Sequence, residues 1–135
     1  MKNYSEFHDG FFDGLLLDDS ATHIFVSTPQ KKRFVIRAQN VASLTAGEFK
    51  EGNIIFDVLI RSSDEVTLED IQAVYGHVSG IDASIQAQRA LEKARENGLS
   101  LLEIGSSYGA TCLLLARSFE LCSHREWIER YMVTE

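Results

Sequence analysis

Alternation of apolar and polar side chains, the period of a strand with one buried face, runs through the first half of this 135-residue sequence. In residues 22–28, Ile24 and Val26 fall on one face, and residues 33–38 resume the same period. Pro29 lies between the two segments, where its fixed φ favours a turn. The pattern predicts a β-hairpin, and it limits the chain to folds that have a sheet.

The strongest strand signal covers residues 53–61 and has one continuous apolar face. The residues predicted to share that face are Ile54, Phe56, Val58 and Ile60. The other face is only partly apolar, which predicts a central strand or one that a helix covers on one side. Further strands are predicted at 11–18, ending in an acidic turn, and at 41–46, 99–104 and 111–119.

Helical spacing appears in the middle of the chain and again near its end. Thr67 and Asp70 have the spacing of a capping box, and a second helix is predicted over 82–96 with an exit at Asn97 and Gly98. The apolar stripe of that helix is thin and comprises Ile81, Ile85, Leu91 and Ala94. Residues 123–126 resemble another capping box, so 123–132 is predicted as a short helix, with a closing strand as the alternative.

These elements together predict an α+β fold, a mostly antiparallel sheet of about six or seven strands packed by two or three helices. No repeat, linker or low-complexity tract divides residues 1–135, so a single domain is expected.

Charge and composition exclude several functions. A net charge of −7 disfavours nucleic acid, because such binding depends on cations that neutralise phosphates, and Lys31, Lys32 and Arg33 are interpreted as a solvated hairpin tip. Cys112 and Cys122 lack the spacing of a disulfide framework and are expected to be reduced. The absence of a signal segment or of about 18 consecutive apolar residues predicts a cytoplasmic protein without membrane association.

The stretch from Leu101 to Ala110 resembles the first motif of S-adenosylmethionine-dependent methyltransferases, an apolar strand followed by an acidic residue and a glycine turn. The resemblance implies that Glu103, Gly105 and Gly109 would bind the cofactor. The match departs from the family at the middle glycine, where Ser107 stands. Only 26 residues follow Gly109, too few for the further βα units of a doubly wound fold.

The same loop also resembles the nucleophile elbow of α/β-hydrolases, a serine flanked by two glycines at Gly105, Ser107 and Gly109. The resemblance implies Ser107 as nucleophile, Glu120 as acid and His124 as base. Only four positions separate Glu120 from His124, which leaves no room for separate supports. Both enzyme interpretations need a helix after Gly109, whereas a hairpin loop over 105–109 predicts a strand there and Gly109 at positive φ.

Potential metal ligands are too few to form a site. His8 and Asp9 lie beside Asp13, and Cys122 and His124 form a second pair, but a zinc site needs three or four ligands. We therefore expect neither a metal nor a cofactor.

Residues 7–10, with the sequence Phe-His-Asp-Gly, precede an apolar strand, an acidic turn and a meander that ends near residues 52–57. This order resembles the N-terminal half of small β-rich bacterial families, some of which are immunity proteins that neutralise a toxin by binding it. The leading hypothesis is a non-catalytic protein-binding or assembly domain, directed by its negative charge at a basic protein partner. The alternative is a small enzyme or S-adenosylmethionine binder that uses the 105–109 loop. The partner's identity and the oligomeric state stay open.

Overall fold

The computed structural model describes residues 1–19, 21–76 and 82–132, which form seven strands and three α-helices. The strands are β1 (Lys2–Asn3), β2 (Phe11–Leu17), β3 (Ala21–Ser27), β4 (Arg33–Gly47), β5 (Ile54–Arg61), β6 (Ser100–Tyr108) and β7 (Thr111–Ser123). The helices are α1 (Leu68–Tyr75), α2 (Ala83–Glu96) and α3 (His124–Trp127), and a π-helical turn over Ile128–Met132 continues α3.

Six of the strands close into an antiparallel barrel. Their order around the ring is β2, β3, β4, β7, β6 and β5, and β5 returns to β2 while β1 adds a short seventh strand along β5. The closing contact sets Phe11 opposite Ile54, and the Ile55 N–H donates to the Gly10 carbonyl at 2.9 Å. Strands occupy 48% of the chain, which confirms the predicted α+β class, and closure into a barrel is a more specific result than the prediction.

Apolar side chains from every strand of the ring fill the barrel. Ile24 and Val26 point inward from β3, as their alternation predicts. The other large side chains that the lumen buries completely, or almost so, are Phe7, Phe12, Ile36, Ile55, Leu102, Ile104 and Leu114. The interior is therefore a packed apolar core.

The predicted apolar face of β5 is wrong at its beginning. Ile55 and Val58 are both buried in the barrel, whereas Phe56 lies between them and is 54% exposed. The pairing with β6 shifts there, so Phe56 has no partner opposite it. An extra residue of this kind, a β-bulge, reverses the alternation on its two sides. Alternation of apolar and polar residues therefore cannot assign the faces of a strand across a β-bulge.

The predicted hairpin loop over 105–109 is also wrong in extent. Gly105 to Tyr108 continue β6, and only Gly109 and Ala110 connect it to β7. After Ile104, strand β6 leaves β7 but continues to pair with β5, so a glycine- and serine-rich sequence forms a bulged strand. Gly109 has a φ of +87°, which confirms that part of the prediction. The segment after it is a strand.

Helices α1 and α2 pack on the outer face of β4, β6 and β7. The capping box of Thr67 and Asp70 is present, and the Val74 carbonyl accepts hydrogen bonds from the Ser43 and Thr45 hydroxyls. Of the predicted stripe on α2, Leu91 and Ala94 are buried and Ile85 is exposed, while Ile81 lies outside the described residues. Among the described helices, none is long and apolar enough to span a bilayer.

Candidate binding surface

The structure does not bring the three candidate catalytic residues together. Ser107 lies near the end of β6, whereas His124 follows β7, whose 13 residues extend about 40 Å at the rise of a strand. The His124 ring lies against Phe25 and Trp127, and Glu120 binds the Arg130 guanidinium at 2.7 Å. The strand–turn–helix context of a nucleophile elbow is also missing, because β7 is a strand.

The candidate cofactor residues have partners within the protein. Glu103 binds Arg61, which also donates to Asp70 at 3.0 Å and so ties α1 to β5 and β6. Gly105 and Gly109 do allow close approaches, but to side chains of this chain. A Cβ at Gly105 would lie within 2.4 Å of the Asp57 carboxylate, and one at Gly109 would lie within 2.3 Å of the Asn53 amide oxygen. Gly105 and Gly109 therefore make room for the side chains of Asp57 and Asn53.

The two cysteines are free and buried. Burial raises the pKa of the Cys112 thiol to about 12, and burial followed by the charge of Glu120 raises the pKa of Cys122. Such thiols are poor nucleophiles and poor metal ligands. Across the described residues, no three His, Cys, Asp or Glu side chains meet closely enough to hold a metal ion, so neither Cys122 with His124 nor His8 with Asp9 gains the further ligand it needs.

A hydrogen-bonded chain of Asp18, His23 and Trp127 is a polar feature that the sequence did not indicate. The Trp127 indole N–H donates to His23 Nδ1 at 2.9 Å, so the imidazole proton resides on Nε2 and points at Asp18 Oδ2, 2.8 Å away. The order resembles a catalytic triad, but an indole stands where a nucleophile would be, and His23 is 3% exposed. The chain therefore anchors α3 to the hairpin of β2 and β3.

An apolar row crosses the outside of the barrel where β2 meets β5 and β5 meets β6. Phe11 lies opposite Ile54, and Ile54 lies opposite Tyr108. Because paired residues point to the same side of a sheet and Phe12 points into the barrel, this row faces outward. Tyr108 is 50% exposed, and the bulged Phe56 lies on the same outer face. We call Phe11, Ile54, Phe56 and Tyr108 the seam surface.

Polar groups from the N-terminal segment and β5 border the seam surface. His8 Nδ1 lies 2.6 Å from the Phe56 carbonyl, and since a carbonyl only accepts, Nδ1 carries a proton. Its other nitrogen faces the Asp9 carboxylate at 3.7 Å. A depression of about 260 Å³ lies between His8, Phe56 and Asp57. The aromatic surface thus has carboxylates at its edge.

Comparisons with known proteins identify no relative of this chain. No family model, no curated protein and no solved structure matches this chain. The resemblance of residues 7–57 to immunity families stays a prediction. The functional interpretation therefore rests on the geometry of the seam surface.

Proposed function

We propose that this chain is a non-catalytic binding protein whose seam surface docks on a basic surface of a protein partner. The observation that carries the proposal is the outward-facing row of Phe11, Ile54 and Tyr108, extended by Phe56. Contiguous exposed apolar side chains on a soluble domain mark interaction sites, and aromatic residues dominate the energetics of such sites.

The charges around the seam surface indicate what kind of partner it would bind. Asp9 is 68% exposed and Asp57 lines the depression beside Phe56, so carboxylates edge the Phe56 side. The Lys31 ammonium lies 3.6 Å from the centre of the Phe11 ring and covers that end of the row. The open part is therefore the Phe56 and Tyr108 end, which has these carboxylates beside Phe56. With a net charge of −7, it attracts a cationic surface at long range.

The backbone of the seam surface lies in strands before a partner binds. Its residues belong to paired strands, and the Phe56 backbone is further held by the His8 ring. A preorganised surface loses little conformational freedom on association, so more of its contact energy becomes affinity. An immunity-type role fits these features, because nuclease toxins need cationic clefts to hold phosphates, which an acidic aromatic surface complements.

A matched pair of double variants tests the proposal. Phe56→Ala with Tyr108→Ala truncates the seam surface, while Ile85→Ala with Tyr75→Ala removes equally exposed side chains from α1 and α2. The wild-type chain captures its partner from native lysate at low salt, and titration calorimetry then measures the affinity of each variant. We expect the seam variant to weaken binding at least about 30-fold and the helix variant less than about twofold.

Three results would contradict the proposal. One is a partner that binds both double variants equally well, and another is a partner with an acidic surface. The third is capture that is equally strong at low salt and near 0.5 M salt, where the screening length shrinks to a few ångströms. Saturable binding of S-adenosylmethionine, or labelling of Ser107 by a fluorophosphonate, would instead support the enzyme alternative, which no contact between Ser107 and the described residues favours.

A further inference from the structure

A second surface carries the opposite charge and lies where the β3–β4 hairpin tip meets α3. Two adjoining depressions, of about 550 and 570 Å³, share Arg33 and His124 in their walls. Lys31 lines the first depression, and Lys32 and Arg125 line the second. The two depressions adjoin because Phe34 of β4 pairs with Ser123 of β7. The strands are antiparallel, so this pairing brings Arg33 beside His124. We call Lys31, Lys32, Arg33, His124 and Arg125 the cationic groove.

The cations of this groove are largely unneutralised. Lys31, Lys32 and Arg33 form no ion pair with any residue that the structure describes, and the two lysines lie over the Phe11 and Phe34 rings instead. The carboxylates that face the groove are Asp13 and Glu129, and Glu129 lies 3.5 Å from Arg125. Four permanent positive charges thus face two negative ones, in a chain whose net charge is −7.

We propose that the cationic groove binds a short acidic segment of a protein. Carboxylate side chains would pair with Lys32, Arg33 and Arg125, and the exposed edges of Phe25 and Phe34 offer apolar contact to residues between them. Nucleic acid fits less well, because a long polyanion extends past the groove onto a surface that is otherwise negative. The groove adjoins the seam surface at Lys31, whose ammonium covers Phe11, but it takes a partner of opposite charge.

Fluorescence anisotropy of a fluorescein-labelled hexaglutamate peptide, titrated with the full chain at low salt, tests this inference. Lys32→Ala with Arg33→Ala should weaken binding by roughly tenfold, and Arg125→Ala should weaken it measurably, because both walls contribute charge. Arg89→Ala with Lys93→Ala is the matched control. It removes two exposed cations from α2 and should change the affinity less than about twofold. Circular dichroism checks that each variant is folded.

Further measurements distinguish this inference from the seam-surface proposal and from the binding of nucleic acid. Phe56→Ala with Tyr108→Ala should leave peptide binding unchanged, so either proposal can fail alone. An equal loss in the α2 control would overturn the inference, because it would show a general charge effect. So would wild-type affinity in Arg125→Ala, or tighter binding of a 20-nucleotide single-stranded DNA than of the peptide.

Discussion

Replacement of Gly109 by alanine should destabilise the protein more than its position in a short connection between strands suggests. The residue has a φ of +87°, and an added Cβ would lie 2.3 Å from the Asn53 amide oxygen. That oxygen accepts the N–H groups of Ala110 and Lys50 at 2.9 and 2.7 Å. Left-handed backbone costs alanine about 1–2 kcal/mol, and each donor left unpaired by displacement of Asn53 costs about 1–3 kcal/mol.

The expected loss for Gly109→Ala is therefore roughly 3–8 kcal/mol, a large part of the stability of a typical domain. For a chain of this length such a loss lowers the melting temperature by roughly 10–30 °C. Urea unfolding followed by the fluorescence of Trp127, the single tryptophan, measures the change in the free energy of unfolding.

Gly52→Ala is the matched control for backbone strain alone. Gly52 has a φ of +75°, but nothing lies within 4 Å of its added Cβ, so the expected cost is about 1–2 kcal/mol. In an Asn53→Ala background the clash with the amide oxygen disappears, and Gly109→Ala should cost little more than Gly52→Ala. Equal losses in the two glycine variants of the natural sequence would refute the packing argument.

Two titrations test other parts of the structure. The Ser62 backbone N–H, the largest cause, holds the pKa of Glu65 at about 2, below its ordinary 4.5. Ionised Glu65 therefore favours the folded state above pH 4.5, and that contribution is lost as the pH falls towards 2. An NMR titration of Glu65 with a midpoint above about 4 would contradict the lowered pKa. Because burial raises the pKa of Cys112 and of Cys122, neither thiol should react with Ellman's reagent at pH 8 before urea unfolds the chain, and rapid reaction of the folded protein would contradict the burial of these thiols.

Features with local causes could be predicted from the sequence. The hairpin of β3 and β4, the capping box at Thr67 and the capped helix that begins at His124 all depend on residues within a few positions of each other. The positive φ of Gly109 belongs to the same class, since a tight connection between strands favours it. Turn and capping chemistry acts over short range and can be seen in the sequence.

Closure of the barrel and both proposed surfaces depend on pairings that sequence periodicity cannot show. Phe11 meets Ile54 across 43 positions, and the bulge at Phe56 changes which side chains of β5 face outward. The cationic tip at Lys32 looks like a solvated turn until β7 brings Arg125 beside it. Each outcome is set by the register of distant strands, and one inserted residue alters that register.

Closure also restricts the ways in which this chain can associate. Over the described residues, each strand from β2 to β7 pairs with a neighbour on both sides, although β2 pairs with β5 only at Phe11, so no strand of the ring is a free edge along its whole length. The narrowest join of the ring is that between β2 and β5, where the Phe11–Ile54 pair and a few backbone bonds hold it shut. Transient opening there would release two edges and create a template for aggregation. A partner that contacts both Phe11 and Ile54 would bind only the closed ring and would therefore stabilise it.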